Sequence, residues 1–234
     1  GVSTRLIGGL VMTHSDDDGL VLPPRLAPTQ VVILPVLHKE EERARVLEYC
    51  DSLKEELSKK SYMGLPIRVE IDKRDIRGGE KVWGWIKKGV PVRVEVGPRD
   101  VAQNAVFAAR RDDGSKKSVG REEFVETIAD TLKSIQDSMF ERAKKYRDEN
   151  TVEISSKDEF YSFFTPKNPK KPEIHGGFAV AYYDGSREVE EMLKSDLKVT
   201  VRCIPLEGGS EGGKCIFTGK SGAGVVKAVF AKSY

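Results

Sequence analysis

The chain is poor in the residues from which disulfide scaffolds and metal sites are built. Its three cysteines, Cys50, Cys203 and Cys215, are too few and of the wrong parity for a disulfide framework and point to a reducing compartment. Its three histidines, His14, His38 and His175, are scattered without metal-ligand spacing. It also lacks an excess of one charge: 39 Lys+Arg against 37 Asp+Glu leave a formal charge of +2. Nucleic-acid binding would therefore have to come from local patches and not from a global field. No apolar run approaches the length of a membrane span. What is present, 38% hydrophobic and 32% charged residues over 234 positions, describes a polar-leaning globular chain with room for one large domain or two modest ones.

Residue 1 is not Met, and the chain reads as opening inside an element, so a targeting peptide cannot be judged. GVST reads as a strand end, RLIGGLVMTHS as a short apolar helix, DDDG as a turn and LVLPP as an extended exit. An arginine delivered by a strand end to the mouth of a helix suits a phosphate or a nucleotide base, but a lone arginine there is more often a structural ion pair.

VVILPV is a continuous apolar run that suits a fully buried strand. Glu40 to Ser58 reads as an amphipathic helix with Val46, Cys50, Leu53 and Leu57 on one face, which makes Cys50 a packing residue. Leu65 to Ile71 alternates as a second strand. A short helix around Lys81 to Lys87 precedes a strand with Val92, Val94 and Val96 inward, and Arg93 and Glu95 are expected to pair on an exposed face. Asn104 to Arg110 adds a further strand, so the region is expected to be a compact α/β domain with a mixed sheet. Arg110, Arg111, Lys116 and Lys117 flank the turn DDGS and read as a solvated hairpin tip. Arg121 to Asp148 is a long helix whose apolar positions run from Phe124 through Met139 to Ala143 and Tyr146.

From Asn150 the composition shifts. TPKNPKKPEIHGG reads as a linker or loop, FYSFF as a packed short helix, and Gly177–Tyr183, Lys198–Ile204 and Val225–Ala231 as strands around the helix Arg187–Leu193. GGSEGGKC nearly matches a phosphate-binding loop, but Cys215 stands where the metal-binding hydroxyl belongs and IFTGKSGAG does not read as a helix. It reads as a Gly-rich loop.

The run GVSTRLIGGLVMTHSDDDGLVLPPRLAPTQVVILPV resembles motif 3 and its exit in prolyl-tRNA synthetases, class II aminoacyl-tRNA synthetases, of the archaeal/eukaryotic-like type. Asp72 to Asp100 is similar to the anticodon-binding domain of that family, with Lys81, Trp85, Lys88, Gly89, Pro91, Arg93, Glu95, Gly97, Pro98, Arg99 and Asp100 matching. Val82 stands where the family has Phe, and Ile86 where it has Glu after the Trp, which puts any anticodon contact of that Glu in doubt.

The resemblance implies the C-terminal portion of a proline–tRNA ligase, in three parts. These are the end of the class II catalytic domain over 1–28, an α/β anticodon-binding domain with its closing helix over 29–148, and a small α+β C-terminal domain over 149–234. It implies ATP and Mg²⁺ as cofactors, tRNA(Pro), proline and ATP as partners, a homodimer formed through the catalytic region, and a cytoplasmic location. Motifs 1 and 2 and most of the proline pocket would lie upstream, so the chain alone is expected not to catalyse. Arg5 is implied as the catalytic and ATP-binding arginine, with Ser3 as a second ATP contact. All proline codons begin with two cytosines, so proline anticodons share two guanines, and Arg74, Arg77 and Arg99 are the candidates to read them, since guanine O6 and N7 fit a guanidinium. Lys81 and Lys88 are the candidates for phosphate. For Trp85 two readings stand: a stacking platform for a base, or core packing of its helix.

The family's C-terminal domain often carries a four-cysteine zinc site. Its positions fall here on Asp184, Val189, Cys215 and Thr218, so no zinc is expected. The terminal Tyr234 is implied to approach the active site, although a frayed end is an equal reading. The alternative for the whole chain is a catalytically dead, stand-alone RNA-binding protein derived from a synthetase.

Overall fold

The computed structural model describes residues 3–37, 40–168, 170, 176–206 and 213–232. The chain divides into two compact units, Gly1–Ala143 and Lys144–Tyr234.

The first unit opens on α1, Arg5–His14. The strand expected over GVST is not found at its described residues. Instead the N–H groups of Leu6 and Ile7 donate to the carbonyls of Ser3 and Thr4 at 3.1 and 3.0 Å, making these residues the first turn of the helix. The buried strand β1 is Val31–Pro35, with every residue buried as its unbroken apolar run requires. Next comes α2, Glu40–Lys59. The single strand expected over Leu65–Ile71 is split. β2, Ser61–Tyr62, and β3, Leu65–Pro66, form a small hairpin whose turn residues Met63 and Gly64 have φ of 52° and 80°. β4, Val69–Ile71, joins the main sheet instead.

The remaining elements are α3, Gly78–Lys87, β5, Val92–Val96, α4, Pro98–Ala102, β6, Ala105–Arg110, β7, Lys116–Gly120, and α5, Arg121–Glu149. The sheet order is β4-β1-β5-β6-β7, parallel for the first three strands and antiparallel thereafter.

Alternation along these strands divides the sheet into two faces. One carries Val31, Ile33, Val92, Val94, Val106 and Val119 against Val46, Cys50, Leu53 and Leu57 of α2 and Phe124, Ile128, Leu132, Ile135 and Met139 of α5. Each large aliphatic side chain buried there contributes roughly 1.5–3 kcal/mol. The expected stripe on α5 stops short: burial ends at Met139, and Tyr146 is exposed. The other face carries Val32 and Leu34, covered by Trp85 and Val90. There the segment after α1 is clamped onto the end of α3. The N–H groups of Leu20 and Leu22 donate to the carbonyls of Lys87 and Gly89 at 3.1 and 3.2 Å. The approach is close enough that a Cβ on Gly89, whose φ is 71°, would stand 2.7 Å from the Leu20 backbone.

In the second unit β8, Thr151–Glu153, α6, Lys157–Phe164, β9, Phe178–Tyr183, α7, Arg187–Leu197, β10, Val199–Cys203, and β11, Val226–Lys232, form an α+β fold with sheet order β10-β11-β9-β8. α6 starts at Ser156, whose hydroxyl accepts from the Glu159 N–H at 3.2 Å. The expected packing of FYSFF holds. Phe160 and Phe164 are fully buried, and the Phe160 ring lies 5.0 to 5.2 Å from those of Phe164, Phe217 and Phe230. The α/β and α+β classes expected from the sequence are those observed. No helix among the described residues is long and apolar enough to cross a membrane.

Candidate nucleic-acid interface

The second face of the first unit's sheet is only partly covered. α3 packs over β1, and the register then sets Arg93 and Glu95 of β5 opposite Ala109 and Phe107 of β6, and these opposite Lys116 and Ser118 of β7. Beside α3 this face becomes a cavity of about 560 Å³ at the carboxyl ends of β1 and β4. Arg43, Arg74, Arg77, Lys81, Arg93 and Lys116 line it, against Asp75 and Glu95. Six cations thus line it against two acids, with Arg74 paired to Asp72 and Arg93 to Glu95. This is a local excess of positive charge in a chain that is nearly neutral overall, of the kind that suits a polyanion.

Asp72 organises one wall. Its carboxylate side chain is 1% exposed. It accepts from Arg74 Nε and Nη2 at 2.8 and 2.6 Å, from the Arg74 N–H at 3.1 Å and from Trp85 Nε1 at 2.8 Å. The Arg74 hydrogen bonds are the main reason its carboxyl is held well below the ordinary carboxylate range, against the opposing effect of burial. The backbone carbonyl of Asp72 accepts from Lys81 Nζ at 3.2 Å, and Lys81 is itself buried. Arg74 is thus oriented on one edge while its side chain stays 55% exposed beside the cavity.

The sequence candidates separate in space. Arg74, Arg77 and Lys81 come together at this cavity. Trp85 is 5% exposed. Its ring packs with Val32, Leu34 and Val90 and has the Lys88 ammonium 4.0 Å from its centroid, the burial that its packing reading expects. Lys88 is directed to that ring and does not line the cavity. Arg99 is exposed on a second recess, about 790 Å³, shared with Gly97, Asp100, Phe107 and Ser118, and the two recesses have Val36 and Glu95 in common.

The expected exposed pair of Arg93 and Glu95 is corrected. The pair exists, at 3.3 Å, but the side chains are 10% and 30% exposed because they form the cavity floor. The hairpin tip is corrected likewise. Arg110 bonds Asp112 at 2.9 Å, and Arg111, 10% exposed, bonds Asp16 at 2.5 and 2.7 Å, lowering the Asp16 pKa. Of the two lysines after the turn, Lys116 faces the cavity. Sequence reasoning missed Arg43, Lys116 and Trp83 as cavity residues. The period-2 pattern of β7 was the available signal for Lys116.

Ser3 and Arg5 are both exposed at the start of α1, where the Ser3 hydroxyl accepts from the Arg5 N–H at 3.3 Å. Tyr234, His38 and His175 lie outside the described residues, as does most of GGSEGGKC. The described part of IFTGKSGAG contains no helix.

In the second unit the positions aligned with a zinc site do converge, but on different chemistry. Asp184 accepts from Ser186 Oγ at 2.6 Å and from Thr218 Oγ1 at 3.0 Å, and pairs with Lys220 Nζ at 3.2 Å. Cys215 Sγ accepts from the Thr218 N–H at 3.4 Å, and Cys215 and Val189 are buried. One thiol, one carboxylate already saturated by donors, a hydroxyl and a valine do not fit tetrahedral zinc. Among the described residues no group of three or more His, Cys, Asp and Glu could hold a metal ion.

Residues 30–131 match the family model described as anticodon binding domain, and residues 170–234 that described as prolyl-tRNA synthetase, C-terminal. The whole chain is 52% identical to proline–tRNA ligase 2 of Anaeromyxobacter dehalogenans, covering 46% of it. It is 51% identical to the proline–tRNA ligase of Protochlamydia amoebophila, covering 46%, and 50% identical to that of Rhodopirellula baltica, covering 45%. The chain spans about half the length of the curated relatives it matches. The likeness to proline–tRNA ligases thus runs along the whole chain.

Proposed function

We infer that this chain is the C-terminal part of a prolyl-tRNA synthetase and that its first unit receives the anticodon loop of tRNA(Pro). The observation that carries the reading is the coincidence of the cation-lined cavity with the segment matched to anticodon-binding domains. The proposed division is the end of the catalytic domain over 1–28, the anticodon-binding domain over 29–148 and the C-terminal domain over 149–234.

In the whole enzyme, proline and ATP would give prolyl-adenylate and pyrophosphate, and the prolyl group would then pass to the 3′ end of the tRNA with release of AMP. This chemistry relies on positioning and charge stabilisation. Arg5 would set its guanidinium against the ATP phosphates and Ser3 would add a hydrogen bond. Mg²⁺, the proline pocket and the homodimer contact would belong to the catalytic region, and the enzyme to the cytoplasm. In the C-terminal domain the hydrogen-bonded cluster on Asp184 would replace a zinc ion. A stand-alone binding protein is the less favoured reading, because the relatives matched along the chain are named as ligases.

For base reading, Arg74 and Arg77 are the proposed guanine readers at the first cavity and Arg99 at the adjoining recess. Arg43 and Lys116 are proposed for the backbone phosphates. The test compares the natural enzyme's affinity for tRNA(Pro) with that for transcripts in which each shared anticodon guanine is replaced. Parent enzyme should discriminate by about tenfold or more per position, and Arg77→Ala or Arg99→Ala should erase the discrimination at one position. Equal binding of all transcripts by the parent would refute the reading.

A further inference from the structure

Two tryptophans stand two residues apart on α3 and meet opposite environments. A step of two residues turns about 200° around an α-helix, so when Trp85 packs on Val32 and Leu34, Trp83 must point away from the sheet. It does: Trp85 is 5% exposed and Trp83 51%. Trp83 is one of the residues that line the first cavity, as are Arg43, Arg77 and Lys116. Arg74 reaches the same helix at Gly84, where a Cβ would stand 3.9 Å from its Nη2.

A large aromatic surface left in water beside a group of cations matches the two demands of an unpaired nucleotide, a π-face for the base and positive charge for the phosphate. A docking site for another protein would also favour an exposed indole, but the cations around this one favour a polyanion. We propose that Trp83 is the stacking platform for one unpaired base of the RNA loop that the cavity takes. This rests on the anticodon reading above and moves the stacking role from Trp85 to its neighbour.

The test uses the full-length natural protein and the anticodon stem-loop of tRNA(Pro), intact and with an abasic site at each loop position in turn. Trp83→Ala should weaken binding of the intact stem-loop on the order of tenfold to a hundredfold, and Trp83→Phe should restore most of it. At one loop position the abasic RNA should bind parent and Trp83→Ala equally, which identifies the stacked base and which a merely structural effect would not produce. If the parent discriminates anticodon guanines but Trp83→Ala binds as tightly as the parent, the stacking proposal falls, the anticodon reading stands, and Trp83 becomes a candidate protein contact. If the Trp83→Ala loss is the same at every abasic position, the residue acts only through structure and the proposal also falls. If the parent shows no preference for its anticodon, both fall.

Discussion

The indole Nε1 of Trp85 donates to the carboxylate of Asp72 at 2.8 Å, thirteen residues back in the chain. Through this bond the packing of α3 and the orientation of Arg74 depend on one buried acid. Asp72→Ala leaves the Trp85 N–H without its acceptor and Arg74 without its anchor. It should cost about 1–3 kcal/mol of stability in urea unfolding and weaken tRNA binding as well. Unchanged binding at equal folding would show that Arg74 needs no anchor.

The same acid carries a pH signature. Its folded pKa lies below the ordinary value of 3.8, so its contribution is present above that value and lost as pH falls below it. The stability difference between parent and Asp72→Asn should therefore shrink as pH is lowered from about 5 towards 2. A constant difference across that range would assign the loss to packing alone.

Salt dependence separates phosphate-binding cations from base readers. Arg43→Ala and Lys116→Ala should each lower the slope of log K against log salt for stem-loop binding by about 0.7 for every phosphate no longer neutralised. Binding should weaken equally for all anticodons. A loss confined to one anticodon base would make the residue a base reader instead.

The Asp184 cluster predicts indifference to chelators. EDTA should leave the thermal midpoint of the second unit unchanged, and a fall would restore a metal to this site. Asp184→Ala should lower that midpoint. Hydrogen bonds led by that of Ser186 hold the Asp184 pKa at about 2, from 3.8. Its contribution should persist at neutral pH and disappear as pH falls from about 4 towards 2.

Thiol labelling tests burial directly. Cys203, whose strand position in VTVRCIPL predicts buried packing, is instead exposed at the end of β10, whereas Cys50 and Cys215 are buried. Burial pushes the Cys50 thiol up to about 12. At pH 8 a thiol reagent should modify Cys203 rapidly and the other two only on unfolding. Cys203→Ser should abolish the fast phase, and its persistence would contradict the burial of the others.

Sequence by itself determined the elements whose burial is periodic. The run Val31–Pro35 and the stripe of Val46, Cys50, Leu53 and Leu57 could be read because side-chain direction repeats every two or 3.6 residues and needs no knowledge of partners. It also determined the family likeness, and with it the candidates Arg74, Arg77 and Arg99. It could not tell Trp83 from Trp85, since both are tryptophans on one short helix and only the packing of that helix on Val32 and Leu34 decides which is buried. Alternation placed Arg93 and Glu95 together on one face, but whether that face is open surface or cavity floor depends on α3 and β7, which meet there from different parts of the chain. Asp184 has a local donor in Ser186, but its remaining partners, Thr218 and Lys220, arrive from thirty-four and thirty-six residues away. Local pattern fixes direction, whereas exposure and partnership are properties of what arrives from elsewhere, and those only the tertiary structure supplies.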